Sequence, residues 1–171
     1  LIRERTTTRK LSFKNFYVRR VRRIIPSAIL VIVVTVVTAY ALFPATRAKA
    51  TLVDGLYAAV FAANYRFQAI GADYFQRSQP PSPLQHYWSL SIEEQFYFVW
   101  PALLVLLFAL TRNLNRKGKG RARQWSVFGV MFFIVLCSFT WAMILSSTDP
   151  NGAYFSTLAR IWELGIGALL A

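Results

Sequence analysis

An all-α, multi-pass bundle of transmembrane helices is the fold class that this sequence predicts. Three observations lead there. The 171 residues are 56% apolar and only 16% charged, whereas an ordinary soluble domain carries roughly 25% charged residues. Uncharged stretches long enough to cross a bilayer core recur along the chain. The 20 Lys and Arg, against 7 Asp and Glu, are bunched between those stretches, which is the pattern of cytoplasmic loops. A net charge of +13 carried in this way argues against a nucleic-acid-binding domain, whose charge spreads over a polar surface. The apolar content excludes disorder over most of the chain.

The elements follow in order. Residues 1–23 hold nine basic residues and are expected to be a cytoplasmic segment. Ile24–Phe43 is free of charge over the 20 residues that a span needs, and Pro26 fits its first turn. Residues 44–87 form a mixed external segment. Within it, Leu52–Ala63 is a short helix interrupted by Asp54 and Gly55, followed by an extended run through Pro80, Pro81 and Pro83. A second span covers 88–110, with Pro101 inside it. The loop 111–124 carries six basic residues and no acid, and is read as cytoplasmic. The third span covers 125–145, and 146–156 is an external loop turning at Asp149-Pro150-Asn151-Gly152. Residues 157–171 begin a fourth span.

The chain starts at Leu1 and stops at Ala171 within an apolar run, so it is read as an internal fragment, 1–171 being part of one membrane-embedded domain. Cys137 is the only cysteine. It permits no intrachain disulfide and is expected to be a small buried apolar residue.

Ionisable residues inside spans cost about 2.5–3.5 kcal/mol on insertion scales and therefore attract functional interest. If 88–110 is helical, Ser89, Glu93 and Tyr97 recur at i, i+4 and i+8 and share a face. This stripe, at the outer end of the span, could position a hydroxyl substrate or orient a catalytic histidine. It fits a helix N-terminus equally, with Ser89 as N-cap and the carboxylates at the positive dipole end. His86 just before it is either an interfacial histidine or a base. Glu93 is expected to face the bundle interior with Arg160 as a candidate partner, and Glu94 to point about 100° away. Arg160 and Glu163 are helical neighbours and form either a functional pair or a structural link between helices. In Arg19-Arg20-Val21-Arg22-Arg23, Arg20 and Arg23 share a face, as do Arg19 and Arg22. Such guanidinium forks suit phosphate, and they suit a positive-inside anchor beside anionic lipid. No metal site is read from the sequence.

Three blocks carry a resemblance. Phe16-Tyr17-Val18-Arg19-Arg20-Val21-Arg22-Arg23-Ile24-Ile25-Pro26, His86-Tyr87-Trp88-Ser89-Leu90-Ser91-Ile92-Glu93-Glu94-Gln95-Phe96-Tyr97 with Trp100-Pro101, and Arg160-Ile161-Trp162-Glu163-Leu164 resemble, in order, motifs of the acyltransferase-3 family of integral membrane acyltransferases. Asn64-Tyr65 and Tyr74-Phe75 resemble family positions less specifically. The resemblance implies O-acylation of cell-surface glycans. Arg20 and Arg23 would meet the phosphates of acyl-CoA at the cytoplasmic face, while Ser89, Glu93 and Tyr97 would belong to the membrane-embedded site. The family's catalytic histidine lies on a helix preceding this chain and His86 is a different position, so this stretch alone is expected to be inactive.

The function so implied is transfer of an acyl group, expected to be acetyl, from acyl-CoA as donor substrate to a hydroxyl of a surface or exported glycan or glycolipid. No permanently bound cofactor and no nucleic-acid partner are expected, and the protein would reside in the plasma membrane among its lipids. The alternative is a non-catalytic transporter or flippase of lipid-linked saccharide, which would also use intramembrane carboxylates and aromatic surfaces.

Overall fold

A computed structural model describes residues 13–71, 80–111 and 120–170. Among these the regular elements are all helices: α1 Phe13–Leu42, α2 Ala45–Ala59, α3 Ala63–Ala69, α4 Tyr87–Leu110, α5 Gly120–Thr148, α6 Pro150–Phe155 and α7 Thr157–Leu170. Three are long and apolar enough to cross a membrane, over Phe16–Leu42, Tyr87–Leu107 and Gln124–Thr148. The fourth expected span corresponds to the 14 residues of α7. Most of the basic loop, Tyr74-Phe75 and the first twelve residues lie outside the described residues.

Several boundaries differ from expectation. The first helix begins at Phe13, so the arginine block is helical and Pro26 stands inside the helix, where it withholds a backbone donor from the preceding turn. The short helix expected over Leu52–Ala63 is found over Ala45–Ala59. Asp149-Pro150-Asn151-Gly152 starts a helix: the Asp149 carboxylate accepts from the Gly152 amide at 2.9 Å and Pro150 opens the first turn. Cys137 is exposed on α5, because that helix turns only a narrow strip inward, at Val127, Met131, Val135 and Ser138.

Arg20, Ile24, Ala28 and Ile32 form one i, i+4 ridge of α1, and its buried members pack into a core with Ala58, Ala63, Phe67, Leu84, Tyr87 and Phe155. α2 folds back along this helix. Gly55, which as a sequence feature only interrupts a span, lets the backbones approach: a Cβ there would stand 3.2 Å from both Ile32 and Val36. A glycine also seats α7 on α5, since a Cβ at Gly165 would lie 2.6 Å from Val135 Cγ2. Beside it, the Ser138 hydroxyl donates to the Leu158 carbonyl at 2.6 Å and accepts from the Trp162 amide at 3.0 Å.

The register of α1 against α4 positions the site. Tyr87 donates from its hydroxyl to the Ala28 carbonyl (3.0 Å), Arg20 meets Glu94 (2.6 Å), and the Tyr17 hydroxyl donates to the Phe98 carbonyl (2.9 Å). As the α1 number falls from 28 to 17, the α4 number rises from 87 to 98, so the two helices run antiparallel and in step.

Candidate active site

The antiparallel register brings two of the sequence motifs into one cluster. Arg20 lies within the Phe16–Leu42 span and Glu94 within Tyr87–Leu107. The expectation had placed the arginines at the cytoplasmic face and the carboxylate stripe at the outer end; Arg20 is instead level with the stripe. Its guanidinium forks onto Glu94, Nε to Oε2 at 2.9 Å and Nη2 to Oε1 at 2.6 Å. Nη2 also reaches Glu93 Oε1 at 3.4 Å, and the guanidinium carbon lies 3.3 Å from the Tyr97 ring centroid. This is the planar, bidentate pairing for which arginine is suited and lysine is not. In an apolar setting an unpaired charge is costly, so each partner stabilises the other.

The two glutamates have exchanged their expected roles. Glu94 is the interior one, its side chain 13% exposed, like that of Arg20, while the Glu93 side chain is 47% exposed. The reason is angular: on α4, Glu94 falls on the face of Tyr87 and Phe98, which meet α1, and Glu93 falls about 100° away. Glu93, exposed Ser89 and exposed His86 line an open face of the helix. Ser89 does not cap: its hydroxyl donates to the His86 carbonyl at 3.1 Å, and His86 holds the N-cap position without a side-chain cap. Tyr97 joins the cluster through its ring. Arg23, one turn beyond Arg20 on α1, is exposed, as are Arg19 and Arg22.

A cavity of about 380 Å³ adjoins the cluster, walled by Arg20, Glu94, Gln95 and Tyr97 and by apolar side chains including Val60 and Phe98. Behind it stands a polar network that sequence reasoning missed. Gln95 Nε2 donates to the Phe61 carbonyl at 2.7 Å and to Asn64 Oδ1 at 3.0 Å. Asn64 Nδ2 donates to the Phe155 carbonyl (3.1 Å) and to Thr157 Oγ1 (3.0 Å), and the Thr157 hydroxyl donates to Gln95 Oε1 at 2.6 Å. Phe61 adopts φ +53°, a strained left-handed conformation for a bulky residue, and its carbonyl is turned to Gln95. The network joins the α2–α3 break, α4 and the start of α7, so it fixes the rotation of α4 that turns Glu94 inward. The signal that could have found it was the Gln95 directly after the glutamate pair and the Asn64-Tyr65 match.

Elsewhere, Arg66 Nε pairs with the buried Asp54 at 3.1 Å and ties α3 to α2. Arg160 does not reach Glu93. Its Nη1 donates to both Glu163 oxygens at 3.0 Å, within α7, and its guanidinium lies 5.1 Å from the ring centroids of Trp88 and Tyr154. No group of three metal-ligating side chains occurs among the described residues.

A fold of membrane-length helices enclosing an arginine–glutamate–tyrosine cluster defines the class, an integral membrane protein with a polar site inside the bundle. The chain belongs to the acyltransferase-3 family, whose model, described as an acyltransferase domain, matches residues 5–171. It is 37% identical over 163 residues to YrhL of Bacillus subtilis, provisionally named a peptidoglycan O-acetyltransferase, covering 94% of this chain and 24% of that protein. It is 33% identical over 163 residues to the peptidoglycan O-acetyltransferase OatA of Listeria monocytogenes, with the same 94% and 24% coverage. A protein of Staphylococcus aureus provisionally named an O-acetyltransferase is 30% identical over 175 residues, covering 100% of this chain and 27% of its own length. The chain thus spans about a quarter of the curated relatives that it matches. No solved structure matches it.

Proposed function

We propose that this chain forms the site-bearing part of a plasma-membrane O-acetyltransferase that moves an acetyl group from acyl-CoA, the donor substrate, to a hydroxyl of a cell-wall glycan. Family membership and the peptidoglycan O-acetyltransferases among its relatives support the acetyl group and the glycan acceptor. The observation that carries the chemistry is the Arg20–Glu94 fork with Glu93 and Tyr97 beside it.

In the reaction the acceptor oxygen attacks the thioester carbonyl. A C–O bond forms, the C–S bond breaks, and the hydroxyl proton passes through a general base to the leaving thiolate. Glu94 holds Arg20 in place and in turn has its own charge compensated. Glu93 keeps one oxygen, Oε2, that makes no hydrogen bond among the described residues, and it faces the open side of α4 with Ser89 and His86. It is the group suited to orient a base or an acceptor hydroxyl arriving from that side. Arg20 is a positioning residue in this scheme, and Arg23, exposed one turn further along α1, is the phosphate-binding candidate. A guanidinium already forked on a carboxylate has little capacity left for phosphate.

The test uses the full-length protein in proteoliposomes with radiolabelled acetyl-CoA on one side and glycan strands on the other. Label should appear in ester linkage on the glycan, and Glu93→Gln at matched protein abundance should abolish it. Intact acetyl-CoA with unlabelled glycan in the wild type, or an active Glu93→Gln protein, would overturn the proposal.

A further inference from the structure

A second cavity, of about 260 Å³, lies where α5, α6 and α7 meet and shares no lining residue with the one beside Arg20. Its walls include Ala142 and Ser146 of α5, Tyr154 of α6, and Arg160, Trp162 and Glu163 of α7. The Arg160–Glu163 pair there is a poor structural device. It is local to one helix at i, i+3, its side chains are 26% and 43% exposed, and a pair of that kind contributes only about 0–1 kcal/mol. It is nonetheless held against aromatic surface, because the guanidinium lies 5.1 Å from both the Trp88 and Tyr154 ring centroids, to one side of that packed pair of rings. Only Nη1 is used on Glu163. Nε and Nη2 make no hydrogen bond among the described residues.

We infer that this cavity is a subsite for one uncharged sugar ring of the acceptor; the inference rests on the glycan reading above. Three features select that ligand. Arg160 is already neutralised by Glu163, so the site offers donors and acceptors side by side and no net charge. That matches neighbouring hydroxyls and disfavours phosphate or a phospholipid headgroup, which would meet the carboxylate. Trp162, braced edge-on against Phe139 at 5.1 Å, provides an aromatic surface for the apolar side of a pyranose, and Tyr154, packed on Trp88 at 4.5 Å, extends that wall of the cavity. The volume lies below the roughly 300–1,000 Å³ of sites for drug-sized ligands, which suits one ring rather than an oligosaccharide.

The experiment uses the full-length protein in nanodiscs and a soluble N-acetylhexosamine disaccharide as probe. Binding is followed by saturation-transfer NMR, and acceptor and donor KM are measured in the acetylation assay. Tyr154→Leu, Glu163→Gln and the cavity-filling Ala142→Trp should each weaken the disaccharide about tenfold, equivalent to about 1.4 kcal/mol, and raise acceptor KM with donor KM unchanged. Tyr154→Phe should stay close to wild type. Thermal unfolding identifies any variant that does not fold, and the remaining variants then decide. Unchanged acceptor affinity in folded Tyr154→Leu and Ala142→Trp proteins would overturn the subsite, as would displacement of the disaccharide by inorganic phosphate. A wild-type protein that acetylates no glycan would fail the parent reading instead, whereas one that acetylates glycan with an unaltered acceptor KM in Ala142→Trp would fail this inference alone.

Discussion

The two arginine–glutamate pairs of this molecule differ in almost every respect that matters energetically. Arg20–Glu94 joins residues 74 apart in sequence through a two-pronged fork, with both side chains 13% exposed. Arg160–Glu163 joins neighbours on one helix, through a single guanidinium nitrogen and with more water access. The first therefore links two helices and two motifs inside their spans. Removing one partner leaves the other as an uncompensated charge. The second is an ion pair within one helix, its guanidinium also lying 5.1 Å from the Trp88 and Tyr154 ring centroids, and losing the pair leaves groups that can be solvated. The same residue types thus serve as a determinant of the bundle in one place and as a ligand-facing surface in the other.

The largest effect should come from breaking the fork. Arg20→Ala or Glu94→Gln removes one partner of a buried pair, a loss of about 3–5 kcal/mol. Glycan O-acetylation at matched membrane abundance should fall below detection and thermal stability should drop. Arg20→Lys should recover only part of either, because the planar fork is lost. Next comes the network that sets the rotation of α4. Gln95→Leu leaves the Phe61 carbonyl and Asn64 without their partner, at about 1–3 kcal/mol, and should lower the unfolding midpoint in detergent. Gly165→Val should follow at about 1–3 kcal/mol, from the clash with Val135. It displaces the α7 platform that bears Arg160 and leaves Arg20–Glu94 in place, so it should impair acceptor use more than donor use. Arg160→Ala should be the mildest for stability, within about 1 kcal/mol. A large destabilisation there would erase the distinction between the two pairs.

Spans and motifs were readable in the sequence because both are local. Long uncharged runs located α1, α4 and α5 to within a few residues at most boundaries, and the family motifs were contiguous strings. The start of α1 was misplaced because a hydropathy reading stops at the first charge. The helix continues back through Arg22 and Arg19 to Phe13, since arginine is a good helix former. The choice between Glu93 and Glu94 could not be made locally. Counting i, i+4 from Ser89 picks out a real stripe, but which side of α4 meets α1 depends on Tyr87, Phe98 and the Gln95–Asn64–Thr157 network, which come from separate parts of the chain. The pairing of Arg20 with Glu94 was hidden for the same reason: charge bias orients a span but does not fix the register of one helix against another. Asp149-Pro150-Asn151-Gly152 reads as a turn and forms a helix start, as the same residue types serve both.

The central claim is that Arg20 and Glu94 act as one unit in the site. A double-mutant cycle on the full-length enzyme tests it directly, using Arg20→Lys and Glu94→Asp so that activity stays measurable. Initial rates of glycan O-acetylation are compared for the wild type, each single variant and the double variant, at matched abundance. For residues in one fork, the double variant should lose little more than the worse single variant, a coupling on the scale of about 0.5–3 kcal/mol. Losses that simply multiply would mean that the two residues act independently and would contradict the account.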